Sequence, residues 1–481
     1  MAEICDPPQH PWREPNVNAN ATTPCCGIHT MVILSGLKLA AVAVLTVVTQ
    51  AAPVQDLAVP APPTQDSFYT LPKDLANHAP GTILRHRKPP SPISAFRLAR
   101  QNLKDSHQIF YRTTDNFGNA TATVLTVLVP HNADYRKVIS HQNAEDAAYA
   151  NCAPSYALQF LSDDSGFFGT IESQAELLIM QTFLEEGWIV IVPDHEGPKA
   201  EFLANRQAGY AVLDGIRAAL ASSDFTGINK DARVGMWGYS GGSLASGFAA
   251  EQHQTYAPEL KIAGAAIGGL VPDILNDVNA INKGAFAGLI PGGIIGLSHA
   301  YPVLEKLIDD QLLPEHKEKF YKSRTQCLGT NIVENPFVDF YAEVKDRGIF
   351  EREPITSILA ENNQGQHVPT IPLFVYKSIN DEVSPVADSD KLVKYYCDNG
   401  ASVEYTRDFA SEHGSLAVTG ITFVLPWLRK IMNGQQISRG CSTKSVATTL
   451  TDASSIGLPK FLFDAFSGLL GRPIGPGGVL L

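Results

Sequence analysis

A chain of 481 residues with 44% hydrophobic and 18% charged side chains has the composition of a large globular domain or two, not of a disordered protein. Its formal charge of -12 comes without any extended lysine–arginine block. That excludes nucleic acid and anionic membrane surface as partners, because the attraction to phosphate that dominates such binding is missing.

Taken in chain order, residues 1–30 are rich in Pro, Asn and Cys and read as an upstream extension that the mature protein lacks. Residues 39–48 (LAAVAVLTVV) form a short apolar run preceded by Lys38 and followed by Thr49 and Ala51, small residues two positions apart. That combination, starting at Met31, reads as a secretory signal peptide over 31–51. The run is shorter than the ~20 apolar residues a bilayer span needs, so no stable membrane span is expected. Residues 53–66 (PVQDLAVPAPPTQD) read as a Pro-rich linker or pro-segment.

From residue 67 onward, apolar runs of strand length alternate with helical spacing. Strands are predicted at 123–129, 137–140, 188–192, 234–237, 262–267, 373–376 and 403–406, and helices at 174–186, 202–221 and 241–253. Nearly continuous apolar strands alternating with helices predict an α/β fold with a mostly parallel central sheet flanked by helices. One interval, 269–364, carries helical apolar segments, several glycines and no convincing strand. It is expected to be a helical cap inserted between a first core part (67–268) and a second (365–472), with 473–481 (PIGPGGVLL) as a tail or flap.

Seven cysteines are present, of which Cys5, Cys25 and Cys26 precede the leader. Cys152, Cys327, Cys397 and Cys441 remain, and four cysteines allow three pairings. No CxxC or Cys/His cluster has metal spacing, so disulfides are expected and no metal or organic cofactor. Asn119-Ala120-Thr121 is a glycosylation sequon.

The chemistry concentrates at Gly238-Tyr239-Ser240-Gly241-Gly242, which fits G-x-S-x-G between an apolar strand and a helical run of small residues. A serine on such a tight turn needs small neighbours, and the helix N-terminus behind it favours developing negative charge. A serine hydroxyl also needs a base to take its proton and an acid to orient the base, here in the order serine, acid, histidine. Asp381 follows the 373–376 strand through a short loop, with Glu382 as its main rival and Asp388 and Asp390 in a helix-start pattern. Downstream of Asp381 stands a single histidine, His413. An oxyanion would be met by the N–H of Gly241 and by a second donor from the loop after the 137–140 strand, at Asp146 or a near neighbour.

Eight collinear segments, AEDAAYANCAPSY, VPDHEGPKAEF, LDGIRAAL, GYSGG, AGAAIGGLVPD, GAFAGLIPGGIIGLSHAYP, INDEVSP and EHGSLAV, run from about Ser67 to the C-terminus. Together they resemble the secretory lipases of fungi. The resemblance implies an α/β-hydrolase fold, a helical cap, a Ser240–Asp381–His413 triad, and Asp146 with Gly241 as the oxyanion hole. It also implies the disulfides Cys152–Cys327 and Cys397–Cys441, secretion, and hydrolysis of triacylglycerols and other carboxylic esters at an oil–water interface by a monomer. Long acyl chains would enter a tunnel through the cap, for which the glycines of 284–296, Gly292 and Gly293 among them, would leave room. The chain departs from the family at Ala144, where an aromatic residue is common, and residues 1–30 have no counterpart. Two other readings compete. A serine peptidase or acyltransferase on the same fold would need an amine or proline pocket, for which Glu185-Glu186 is the nearest pair. A non-catalytic lipid-binding or adhesion protein would have lost one of the three positions, all of which are filled here.

Overall fold

The computed structural model describes residues 59–95, 99–162 and 169–448. The extension 1–30, the leader 31–51 and the tail 473–481 lie outside the described residues. The end of the Pro-rich segment is tied down: Thr64 N–H donates to Asn151 Oδ1 over 3.1 Å, and Asp66 pairs with Arg87 at 2.7 Å.

Ten strands form one sheet: β1 (Ile83–Arg87), β2 (Asp105–Thr114), β3 (Ala120–Val129), β4 (Asp134–Gln142), β5 (Trp188–Pro193), β6 (Arg233–Tyr239), β7 (Ile262–Gly268), β8 (Leu373–Ser378), β9 (Val403–Asp408) and β10 (Cys441–Val446). Their order is β1-β2-β3-β5-β4-β6-β7-β8-β9-β10. β1, β2 and β3 run antiparallel at one edge, and from β5 to β10 every neighbour is parallel. Successive residues of the central strands enter two different cores. Val138, Ile189, Ile191 and Met236 join one, while Ile139, Val190, Val192 and Trp237 join the other. Side chains alternate across a strand, so a sheet covered on both faces needs an unbroken apolar run, as in the fully buried WIVIVP of β5.

Helices α1 (Ile171–Glu185), α2 (Asn205–Leu220) and α3 (Gly241–Tyr256) follow β4, β5 and β6. Six more lie between β7 and β8: α4 (Ile274–Ile281), α5 (Leu289–Ala300), α6 (Pro302–Gln311), α7 (Pro314–Tyr321), α8 (Leu328–Glu334) and α9 (Ile355–Asn362). They enclose apolar clusters of their own, one around Ile290, Ile295, Phe320 and Phe340 and one around Leu297, Leu304 and Leu359. α10 (Val386–Asp398), α11 (His413–Thr419) and α12 (Ile421–Met432) complete the fold. Among the described residues no single helix is long and apolar enough to cross a membrane.

Disulfides join Cys152 to Cys327 and Cys397 to Cys441. The first ties the loop after β4 to the helical insertion, and the second ties α10 to the edge strand β10. Three strands escaped the sequence pattern. β2 (DSHQIFYRTT) mixes polar and apolar residues on both faces, β1 is short and half-exposed, and β10 (CSTKSV) is exposed almost throughout. The predicted helix 202–221 begins only at Asn205, because Ala200 and Leu203 have φ of 50° and 70°, which no right-handed helix admits.

Candidate active site

Ser240 sits at the corner between β6 and α3 with φ 52° and ψ -119°. A non-glycine residue with that backbone is strained, and the strain is held by neighbours that allow no side chain. A Cβ on Gly238 would lie 2.1 Å from the Gly242 carbonyl oxygen, and one on Gly241 would lie 1.6 Å from Asp146 Oδ1. Glycine at both positions lets the loop after β4 close against the turn.

Ser240 Oγ lies 2.8 Å from His413 Nε2, and His413 Nδ1 lies 2.8 Å from Asp381 Oδ2. Three segments far apart in sequence meet because β6, β8 and β9 are near neighbours in the sheet and their C-terminal ends share one edge. His413 opens α11; its N–H donates to Glu382 Oε2 over 2.7 Å, and its carbonyl oxygen accepts the Tyr239 hydroxyl over 2.6 Å. Glu382, the rival acid, therefore grips the histidine backbone and not its ring. Asp388 pairs with Lys391, and Asp390 with Arg407.

Asp381 has a fully buried side chain. Its Oδ1 accepts the N–H groups of Val383 and Ser384 over 3.0 and 2.8 Å, and its Oδ2 meets His413 and, at 3.0 Å, Lys377 Nζ. Burial alone would raise this carboxyl. The bond to His413, its charge and the Lys377 ammonium override burial and hold it well below the usual carboxylate range.

Asp146 follows β4 with φ 45°. Its loop is pinned by Glu176, whose Oε1 accepts the Ala144 N–H over 2.7 Å and whose Oε2 lies 2.7 Å from His141 Nε2. Burial, with the Glu176 charge adding, pushes the Asp146 carboxyl up to about 7. Its Oδ1 finds no hydrogen-bond partner among the described residues.

Two cavities flank Ser240. One, of about 680 Å³, runs from Ser240, Asp146 and Gly241 into the insertion between Phe202, Leu203, Ile294 and Leu297. It abuts a second apolar cavity of about 580 Å³ through Ile294, Leu297, Phe350 and Leu359. The other, about 980 Å³, lies on the histidine side between Ala144, Glu176, Phe286, Ile332 and Val418. Gly293 lines the first cavity, where a Cβ would come within 2.8 Å of Leu203 Cδ1. Gly292, expected beside it, is absent from that wall and faces Asn331 and the Asp146 carbonyl oxygen, while Gly296 packs on the Phe202 backbone. Helical rotation of about 100° per residue separates neighbours onto different faces, so adjacent glycines do not serve one cavity. Sequence reading missed Phe202, Leu203, Phe350 and Leu359, which are ordinary apolar residues with no local signature. It also missed Lys377, whose one signal was a charge inside an apolar strand. Among the described residues no group of three His, Cys, Asp or Glu could hold a metal ion.

A serine at a strained strand-to-helix corner, above a parallel sheet and bonded to a histidine and a buried carboxylate, defines an α/β-hydrolase. Residues 159–440 match the model of the secretory lipase family. Lipase A of Arthroderma benhamiae is 47% identical over 421 residues, covering 87% of this chain and 90% of that protein. Lipase 1 of Candida albicans is 36% identical over 86% of this chain and 90% of its own length. The crystal structure of Candida antarctica lipase A in its closed state superposes with a TM-score of 0.74 at 28% identity, covering 88% of this chain and all of that one. The chain belongs to the secretory lipase family and is a carboxylic ester hydrolase.

Proposed function

We propose that the protein is a secreted lipase and carboxylesterase that cleaves triacylglycerols and other carboxylic esters through a covalent acyl-enzyme on Ser240. The observation that carries this reading is the unbroken line Ser240 Oγ–His413–Asp381, with 2.8 Å at each link, opening onto a cavity walled by hydrocarbon. In the first half-reaction Ser240 Oγ attacks the ester carbonyl carbon while His413 Nε2 takes its proton, and Asp381 stabilises the imidazolium. The carbonyl oxygen becomes an oxyanion beside the Gly241 N–H and Asp146, whose carboxyl, neutral below about pH 7, carries an O–H donor. His413 then protonates the departing alcohol, and water repeats the sequence on the acyl-enzyme.

The insertion between β7 and β8 acts in this reading as the cap, and the two adjoining apolar cavities receive the acyl chain. The wider cavity on the histidine side receives the alcohol portion. Secretion is supported by the family's name, by two disulfides, which persist in oxidising compartments, and by the leader pattern. Asn119 lies exposed in the turn between β2 and β3, open to a glycan. The peptidase reading loses its acidic pair: Glu186 binds Arg429, and Glu185 accepts a bond from Gln181.

A series of p-nitrophenyl esters from butyryl to palmitoyl, an emulsified triglyceride and an aminoacyl amide, each given to purified enzyme, tests the reading. Ester and triglyceride hydrolysis with little amide cleavage is expected, and preferred amide cleavage would overturn it. Gly293→Leu should close the channel beside Leu203 and shift preference toward short acyl chains by about tenfold or more. An unchanged chain-length profile would place the acyl chain elsewhere.

A further inference from the structure

β8 carries a lysine where strand packing asks for hydrocarbon. The Lys377 side chain is fully buried, four residues before Asp381. Its Nζ donates to the Leu270 carbonyl oxygen over 2.7 Å and lies 3.0 Å from Asp381 Oδ2, the same oxygen that meets His413 Nδ1. Burying an ammonium is costly, and a methionine or leucine would fill the same space without that cost. The physical consequence of the charge is therefore to be found at its one close anionic partner.

The surrounding groups define the electrostatics. Asp381 is in contact. Asp277 on α4 and Glu382 in the loop after β8 also face the ammonium, and Asp273 stands at the start of α4. Glu382 is engaged with the His413 N–H. On β9, Asp408 Oδ1 is occupied by the N–H groups of Ala410 and Ser411. Tyr239 presents its hydroxyl to the His413 carbonyl oxygen. Burial lowers the Lys377 ammonium from the ordinary lysine range, and Asp381, then Asp277 and Glu382, work against that fall. Burial pushes the Asp277 carboxyl well above its ordinary range, and Asp277 makes no ion pair with the ammonium. The fully buried carboxylate bonded to the histidine ring thus has this ammonium directly against it.

We propose that Lys377 is a positioning and charge-balancing residue for the hydrolytic site: its ammonium fixes the Asp381 carboxylate toward His413 and offsets its charge, so that the carboxylate orients the imidazole without over-stabilising its protonated form. This rests on the reading of Ser240, His413 and Asp381 as the reacting line. Asp381 is held at four points: two backbone N–H groups on Oδ1, and His413 and Lys377 on Oδ2. A bare buried carboxylate would bind the histidine's proton more tightly, leaving it unavailable as a base until higher pH. The ammonium weakens that grip while keeping the carboxylate ionised.

The test is the pH dependence of kcat/KM for Lys377→Met and Lys377→Gln beside the natural enzyme, each normalised to the Ser240 that a fluorophosphonate titrates. Glutamine keeps hydrogen-bond donors toward Leu270 and Asp381, and methionine keeps only the bulk. For both, the acid limb is expected to move up by about one pH unit. Loss should then be about tenfold below the acid limb of the natural enzyme and within about threefold on its plateau. A uniform loss with the limb unmoved, or a glutamine variant matching the natural profile, overturns the proposal. Should neither variant present titratable Ser240, the ¹⁵N resonance of the Lys377 side chain in the natural enzyme decides: an ammonium throughout the active pH range supports the proposal, and a neutral amine overturns it. Failure of the underlying reading shows separately, as natural enzyme whose Ser240 is not labelled.

Discussion

Ser240→Ala should hydrolyse p-nitrophenyl esters about a million-fold more slowly than the natural enzyme, with its fold intact. The hydroxyl lost makes one side-chain contact, to His413, while the backbone bonds that hold the turn, from Ser240 N to the Gly268 oxygen and from Ser243 N to the Ser240 oxygen, remain. Alanine carries no larger strain at φ 52° than serine does, so the thermal midpoint should stay within a few degrees. His413→Ala should cost nearly as much, and the double variant little more than either, because the pair acts as one unit. Steady-state kinetics on titrated protein measure this. Retention of a hundredth of the natural rate by Ser240→Ala would remove the serine from the chemistry.

Stability should fall as pH rises from about 4 through about 7. Beside Ser240, Glu145 and Asp146 after β4 meet Asp194 and Glu196 after β5, all with nine-tenths or more of their surface buried. Burial pushes Asp146 and Asp194 each up to about 7, and lifts Glu145 and Glu196 well above their ordinary range. In the unfolded chain the same groups ionise near 4. Between those limits the folded state binds more protons than the unfolded state, so raising the pH favours unfolding. Asp146 and Asp194 correspond to about 4 kcal/mol each at ~1.4 kcal/mol per pH unit. His195, driven down to about 4 by burial, acts in the opposite direction and takes back about 3 kcal/mol. Asp381, depressed instead, contributes stability that is complete above about pH 4 and lost only in stronger acid. A net loss of a few kcal/mol is expected between pH 5 and pH 8, read as a lower urea midpoint. An equal or higher midpoint at the alkaline end would contradict the protonated state of this cluster.

Much of this architecture was legible in the residues themselves. WIVIV read as a strand covered on both faces, and GYSGG, between an apolar run and small helical residues, read as a strand-to-helix turn. His413 stood out because no other histidine follows Asp381. What escaped had physical reasons. β10 is an exposed edge whose pattern carries no hydrophobic signal, and it is tied to its neighbours by the Cys397–Cys441 link and the β9 ladder. The two positive φ values before α2 moved Phe202 and Leu203 out of a predicted helix and into the cavity wall. Lys377 could be seen as a charge in an apolar strand, but its partner lay four residues on, across a turn whose geometry no pattern specifies.

Reaction of the purified enzyme with a fluorophosphonate, mapped by peptide mass and timed against pH, tests the central claim most directly. The claim is that His413 makes Ser240 a nucleophile. One adduct on Ser240, formed more slowly in acid and slowed by about ten-thousandfold or more in His413→Ala, is the predicted result. An adduct on another residue, or equal labelling of Ser240 in His413→Ala, would contradict it.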